Sequence, residues 1–334
     1  MDTGMRSANP GGKILALGEL LVDLIPAEEG MRIRDTGPIL KTASGSAGIF
    51  ACAAARLGAP VGFIGKVGRD ELSAMVTEAI RAEGVDTRCL AVSDEGQIGL
   101  AFLEYTEKGR NYQYYRRDSV GSRLCGADVR EECVAGAFAV HFPGMLLELS
   151  ESMREACLRA ADLAKKHGVL LSFDPNIRRE MMGEKAAQRR MLETVSRADV
   201  VTPTLEEGRQ LTGRQSPGEV LRALRDMGPK LIALTLDREG ALLCAGERVI
   251  RAWPAAVREC DPTGAGDTFA AALCTGLREN MDPAELARFC NAAGALAVTK
   301  RGAIGMALPD RAEVDALLAS GACRVEETTL AAMA

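Results

Sequence analysis

The sequence predicts an α/β fold: one doubly wound, mostly parallel sheet with helices on both faces and a small β lid. Three observations carry this. Short apolar runs alternate with amphipathic stretches along the chain, the pattern of strands and helices that bury their apolar faces against one another in layers. Two stretches, 30–42 and 99–117, break that rhythm. The second alternates apolar and polar residues on either side of E-K-G-R at 107–110, which reads as a β-hairpin. A hairpin inside an α/β chain must stand off the main sheet, so a lid is expected from about 30–43 and 98–118.

The elements follow in order. K-I-L-A-L-G at 13–18 is the first strand. Residues 46–57 form a helix closed by Gly58, where a left-handed residue commonly ends one. A strand at 61–66 and a helix at 70–82, again followed by glycine, come next. After a strand at 137–142, Ser152 and Glu155 have capping-box spacing and open a helix to His167. Strands at 169–173 and 231–236 and long apolar helices at 265–277 and 283–298 complete the pattern. No internal period and no Pro/Ser-rich linker is present. Residues 1–334 therefore read as one domain, with 1–11 a flexible terminus.

Composition narrows the function. The 334 residues are 47% apolar and 26% charged, which suits a soluble globular chain and excludes disorder as the main theme. The net charge of −5 offers no general attraction to phosphate backbones, and 4% aromatics offer no stacking platform, so nucleic acid is excluded as a partner. Two histidines, His141 and His167, leave little room for a multi-histidine metal site or a Ser-His-Asp hydrolase. Ten cysteines without a C-x-x-C pair read as small buried hydrophobes in a reducing compartment. There is no long apolar run and no signal-peptide stretch, so the expectation is a cytoplasmic protein away from membranes. The four tyrosines, Tyr105, Tyr112, Tyr114 and Tyr115, all fall within eleven residues of the predicted hairpin.

D-P-T-G-A-G-D at 261–267 is the most informative segment. Its glycines precede a helix, where exposed N–H groups and the helix dipole favour an anion. Asp267 in the first turn would repel a merely bound phosphate. It makes sense as the acceptor of a hydroxyl proton while the amides stabilise a transferring phosphoryl group.

With A-R-L-G at 55–58, G-K-V-G-R-D at 65–70 and G-E-L-L-V-D at 18–23, this segment resembles the PfkB/ribokinase family of carbohydrate kinases, from about Ile14 to Pro309. The resemblance implies a ribokinase-like fold and ATP-dependent phosphorylation of a terminal hydroxyl, with Mg2+ and a monovalent cation such as K+. It implies Asp267 as catalytic base, with Gly264, Ala265 and Gly266 as the anion hole. Asp23 and Gly45 would meet substrate hydroxyls. Thr204, Glu207, Thr235, Asp237, Gly240 and Asn291, with Gly264 and Gly266, would serve the nucleotide and its magnesium. Asp261 and Thr263, with carbonyls near Ala297, Lys300, Gly302 and Met306, would hold the monovalent cation. No Walker A pattern is present, as in the family. The chain departs from the pattern at Ile49 and Thr204, each in place of asparagine, and at Asp237 in place of glycine. Isoleucine can neither donate nor accept a hydrogen bond.

Substrate choice is read from the hairpin. Residues two apart share a face of a strand, so Tyr112, Tyr114 and Arg116 point one way. Y-Y-R-x-x-S at 114–119 and D-P-N-I-R at 174–178 resemble 2-keto-3-deoxygluconate kinases, and fructokinases share a related pair. In the sugar-acid kinases, the resemblance implies that Arg116 and Arg178 meet a carboxylate or the transferred phosphate, for which guanidinium is a suitable fork. Tyr114 joins this set. The expected substrate is 2-keto-3-deoxygluconate. Fructose is the runner-up, ahead of a nucleoside or a non-catalytic sugar or ATP sensor. The resemblance also implies a homodimer through the lid. A nicotinamide dehydrogenase is excluded, because no G-x-G-x-x-G follows the first strand.

Overall fold

The computed structural model describes residues 7–28, 30–106, 109–177, 185–305 and 308–333. The chain enters the main sheet on β1 (Ile14–Leu17), crosses to a second sheet on β2 (Leu21–Pro26) and returns along β3 (Ile39–Ser44). It continues through α1 (Ser46–Arg56), β4 (Val61–Val67), α2 (Glu71–Ala82) and β5 (Leu90–Val92) to the hairpin β6 (Gly99–Thr106) and β7 (Gly109–Tyr115). Next come α3 (Glu131–Val134), β8 (Ala139–Pro143), α4 (Glu151–His167), β9 (Leu170–Asp174), α5 (Lys185–Arg197) and β10 (Val200–Val201). After α6 (Leu205–Thr212) and α7 (Pro217–Asp226) run β11 (Leu231–Thr235), β12 (Ala241–Ala245) and β13 (Arg248–Ala252). The chain closes with α8 (Ala265–Arg278), α9 (Pro283–Ala297), α10 (Arg311–Ala319) and β14 (Val325–Thr329).

The main sheet has the order β14-β13-β12-β11-β10-β9-β8-β1-β4-β5. From β11 to β5 every pairing is parallel. β12, β13 and β14 add an antiparallel edge. β1 shows why the parallel strands read as continuous apolar runs. Leu15 and Leu17 pack with α4 residues such as Ala160, while Ile14 and Ala16 pack with Phe50 of α1 and Ala270 of α8, so both faces are buried. Strand order reverses at β1, which lies between β4 and β8. The carboxyl ends of strands at such a reversal form the ligand crevice of doubly wound folds.

The lid is a second sheet of order β3-β2-β6-β7. Its hairpin falls where the alternation places it. β2 also belongs to it, so Asp23 sits on the lid and not at the end of a main-sheet strand. Asp23 pairs with Ala101, and Ala101 with Tyr114, which puts Asp23 and Tyr114 on one face.

Other expectations change. The cap of α4 is Ser150, whose hydroxyl accepts from Met153 N at 3.0 Å; Ser152 instead donates to the Ser122 carbonyl. Residues 7–11 are held in place, with Asn9 Nδ2 bonded to the Ala135 and Ala137 carbonyls; residues 1–6 lie outside the described set. Cys89 and Cys133 form a disulfide 44 residues apart in sequence, against the reading of all cysteines as single buried hydrophobes. That reading holds for Cys52, Cys157, Cys244, Cys274, Cys290 and Cys323, whereas Cys260 is exposed. Among the described residues, no helix is long and apolar enough to cross a membrane.

Candidate active site

α1 and α8 pack side by side and bring their N-termini to the crevice above β1. Gly45 precedes α1 with φ 110°, and a Cβ there would stand 2.6 Å from the Glu19 carbonyl oxygen. Gly264 caps α8 with φ 76°, and a Cβ there would stand 2.9 Å from Ile49 Cγ2. Both positions demand glycine. The second places Ile49: it is 4% exposed and packs against Gly264. Gly266 is exposed, with nothing within 4 Å of where a Cβ would be. Ala265 N–H donates to the Pro262 carbonyl at 3.4 Å; the N–H groups of Gly266 and Asp267 that follow have no intrahelical carbonyl to meet, so the loop offers donors to an anion there.

Asp267 is 9% exposed. Ser46, the first residue of α1, donates to its Oδ1 at 2.5 Å, and Asn176 Nδ2 donates in turn to Ser46 Oγ at 3.2 Å. Sequence reasoning missed this relay, since serine at a helix start reads as an ordinary cap. Asp174, at the end of β9, is also buried. Burial and the nearby Glu207 and Asp267 charges hold its carboxyl well above the ordinary range, against hydrogen bonds from Asn176.

A cavity of about 140 Å3 opens beside Asp267. Its walls include Asp23, Gly45, Ile49, Tyr112, Tyr114, Arg116 and Gly264, with Glu19 and Arg110 also contributing. The tyrosine face is as expected: Tyr112 and Tyr114 stack at 5.6 Å, and the Arg116 guanidinium lies 4.3 Å from the Tyr114 ring centre. The charge of Arg116 is already matched, however. Its Nη1 donates to Glu19 Oε1 at 2.5 Å, with both side chains under a tenth exposed. Burial pushes the Glu19 carboxyl up, and the charge and hydrogen bond of Arg116 pull against it. Glu19 was passed over in the sequence because its partner lies 97 positions away.

Burial pushes the Asp23 carboxyl up to about 6; a Ser44 hydrogen bond opposes this and the Asp261 charge adds to it. A carboxylate accepts from hydroxyls only as the anion, which is lost as pH falls through that value. The sugar KM is therefore expected to be flat above about pH 7 and to rise steadily below about pH 6. Steady-state kinetics from pH 5 to 8 checks this, and a flat profile would remove Asp23 as the ionised acceptor.

The lid hairpin reaches the 261–263 loop. Tyr105 donates to Asp261 Oδ2 at 2.6 Å, and Arg110 donates to Thr263 Oγ1 at 2.7 Å. Asp261 is 1% exposed. Burial pushes it up, but hydrogen bonds from Tyr105, from Thr263 and from the Gly302 amide outweigh that and hold it below the usual range. The Cys260 and Asp261 amides bond to the Val298 carbonyl, which brings the 260–263 loop to the end of α9 near Ala297, Lys300 and Gly302. Lys300 turns its own amine to Glu313. Met306 and Arg178 lie outside the described residues.

The residues assigned to the nucleotide divide. Thr204 and Thr235 sit side by side at the ends of β10 and β11. Thr204 caps α6, and Glu207 accepts from the Thr204 cap through one carboxylate oxygen and from the Ile177 amide through the other. Asp237 takes φ 53° in place of glycine, with its side chain exposed. Gly240 has φ 90° where a Cβ would strike the Ala252 carbonyl. Asn291 donates to the Trp253 carbonyl at 2.8 Å. His141 stacks on Phe50 at 3.8 Å and contacts Ser172, and burial lowers its pKa to about 3. It is a neutral packing group.

The chain has relatives in sequence and in fold. The chain is 32% identical over 317 residues to fructokinase-1 of Oryza sativa subsp. japonica, covering 92% of this chain and 98% of that protein. A fructokinase from Vibrio cholerae O395, solved with fructose, ADP and calcium, superposes with a TM-score of 0.81 at 28% identity, covering 93% of this chain and all of that one. An E. coli protein provisionally described as a ribokinase II, solved with ATP and Mg2+, gives a TM-score of 0.88 at 27% identity, covering 92% and 99% of the two chains. The fold is ribokinase-like. Residues 12–311 match the pfkB family carbohydrate kinase model, and the chain belongs to that family of phosphotransferases acting on a sugar hydroxyl.

Proposed function

We propose that the protein is an ATP-dependent fructokinase, or a kinase of a closely similar uncharged ketose. The observation that carries this reading is the Glu19–Arg116 pair. The expectation of 2-keto-3-deoxygluconate rested on arginines free to meet a carboxylate, and Arg116 has its own carboxylate 2.5 Å away. The fructokinase relatives point the same way. With Ile49 as a packing group, substrate hydroxyls are left to Asp23 and the other polar walls.

In the proposed reaction, Asp267 takes the proton of the attacking hydroxyl while the amides at the start of α8 face the transferred phosphoryl group. Ser46 keeps the base aimed. ATP supplies the phosphoryl group. Among the described residues, no cluster of three His, Cys, Asp or Glu side chains could hold a metal ion. Magnesium would be carried in on the phosphates, held largely by phosphate and water oxygens. A monovalent cation beside Asp261 would rest on backbone carbonyls, because the carboxylate already accepts from three residues. The lid face excludes water and so limits futile hydrolysis.

A coupled ADP assay over ketoses, aldoses, 2-keto-3-deoxy acids and nucleosides tests this. Fructose is expected to give the highest kcat/KM. A 2-keto-3-deoxy acid or a nucleoside ranking first would overturn the reading, and sugar-independent ADP release across the panel would point to a sensor.

A further inference from the structure

We propose that Asn176 is a positioning residue for the phosphoryl transfer: it acts through the Ser46 hydroxyl, which it keeps turned onto the base Asp267. The inference deepens the proposed reaction and rests on Asp267 as its base; it holds for whichever sugar is bound. A hydroxyl has one proton to donate and lone pairs to accept with. The Ser46 proton goes to Asp267 Oδ1, 2.5 Å away, and the Asn176 amide donates to Ser46 Oγ at 3.2 Å. With a donor filling its lone pair, the hydroxyl is fixed in direction and its proton stays on the carboxylate. Without that donor the hydroxyl is at liberty to turn, and the carboxylate loses a fixed contact. Ser46 and Asp267 line the cavity, whereas Asn176 is not among its walls. Asn176 therefore reaches the reaction through Ser46 and not by touching the sugar.

The strap that carries Asn176 holds its amide still. Asn176 takes φ 40°, toward the left-handed region that asparagine tolerates better than most residues. Its own N–H donates to Asp174 Oδ1 at 3.1 Å, and the next N–H, of Ile177, donates to Glu207 Oε1 at 2.7 Å. Gly144 lets the strap come close: a Cβ there would stand 2.6 Å from the Pro175 carbonyl oxygen. Asp174 is 7% exposed, so the strap is anchored in the interior at the end of β9. Outer contacts of this kind keep reacting groups within the fraction of an ångström that turnover needs. In D-P-N-I-R at 174–178 the arginine is the residue with visible chemistry, yet the asparagine is joined to the base through Ser46.

The test is a double-mutant cycle of Asn176→Gly and Ser46→Ala, read as kcat and KM on the preferred sugar and repeated in Asp267→Asn. Glycine adopts a positive φ without strain, so Asn176→Gly removes the amide and keeps the strap. Ser46→Ala is expected to lower kcat about tenfold, as for a lost hydrogen bond to a charged group, and Asn176→Gly about threefold. The sugar KM is expected to change by less than about twofold in each, because neither group binds substrate. The double variant is expected to match Ser46→Ala alone, since the amide has nothing to act through once the hydroxyl is gone. Losses that multiply to about thirtyfold in the double variant would overturn the proposal. So would a wild-type kcat in Asn176→Gly, or a loss confined to KM. In Asp267→Asn neither substitution is expected to lower turnover further, and a further loss there would overturn the proposal. The Asp267→Asn loss alone decides whether Asp267 is the base, so the two failures are separable.

Discussion

Asp267→Asn is expected to lower turnover on the preferred sugar by about a hundredfold or more, while sugar and nucleotide still bind. The side chain is buried at the head of α8 and takes a hydrogen bond from Ser46 at 2.5 Å. Asparagine keeps the shape and keeps an oxygen for Ser46, but it cannot take up a proton. Turnover in a coupled ADP assay, read beside calorimetric affinities for sugar and ATP analogue, separates the two effects. Near-normal turnover would remove Asp267 as the base. A parallel collapse of binding would mean that the substitution had disturbed the α1–α8 contact instead.

Arg116→Ala is expected to destabilise the fold by about 3–5 kcal/mol, the usual cost of breaking a buried ion pair from one side. Glu19 would remain 4% exposed with no counter-charge, and Tyr114 would lose the guanidinium over its ring. Urea unfolding measures the loss. Replacing both partners with methionine is expected to recover most of it, because apolar groups of similar volume do not need the pair's desolvation repaid. A loss below about 1 kcal/mol in Arg116→Ala would show that the pair is solvated. An inactive Arg116→Ala therefore does not prove a substrate contact, since the protein would also be less folded.

The parts of this molecule that are legible in its sequence are those whose causes are local. Alternating apolar runs mark β1, β4, β8, β9 and β11 because strands buried on both faces leave a continuous apolar trace. D-P-T-G-A-G-D announces an anion site because glycine, helix start and carboxylate are contiguous. The α4 cap was misplaced by two residues because Ser150 and Ser152 both have serine chemistry, and only the turn of the backbone chooses between them. The antiparallel edge of β12, β13 and β14 went unread because β13 and β14 are separated by three helices. Pairings across the fold leave no trace in a single chain. Glu19 meets Arg116 and Cys89 meets Cys133 only once the sheets are assembled. Arg116 could be read as a substrate contact but not as the partner of Glu19 for that reason: a residue's chemistry was visible and its partner was not.

The lid bonds have a consequence for measured affinities. The sheet that carries Asp23 and the tyrosine face also hands Tyr105 and Arg110 to Asp261 and Thr263. In the proposed reaction, sugar recognition and the shape of the 261–263 loop are thus set by the same piece. Apparent sugar affinity is the intrinsic affinity scaled by the fraction of molecules with that piece seated. Whatever steadies the 261–263 loop, a nucleotide included, then tightens sugar binding without touching the sugar, and by reciprocity the sugar tightens the nucleotide by the same factor. The two substrates of this kinase would communicate through two hydrogen bonds that neither of them makes.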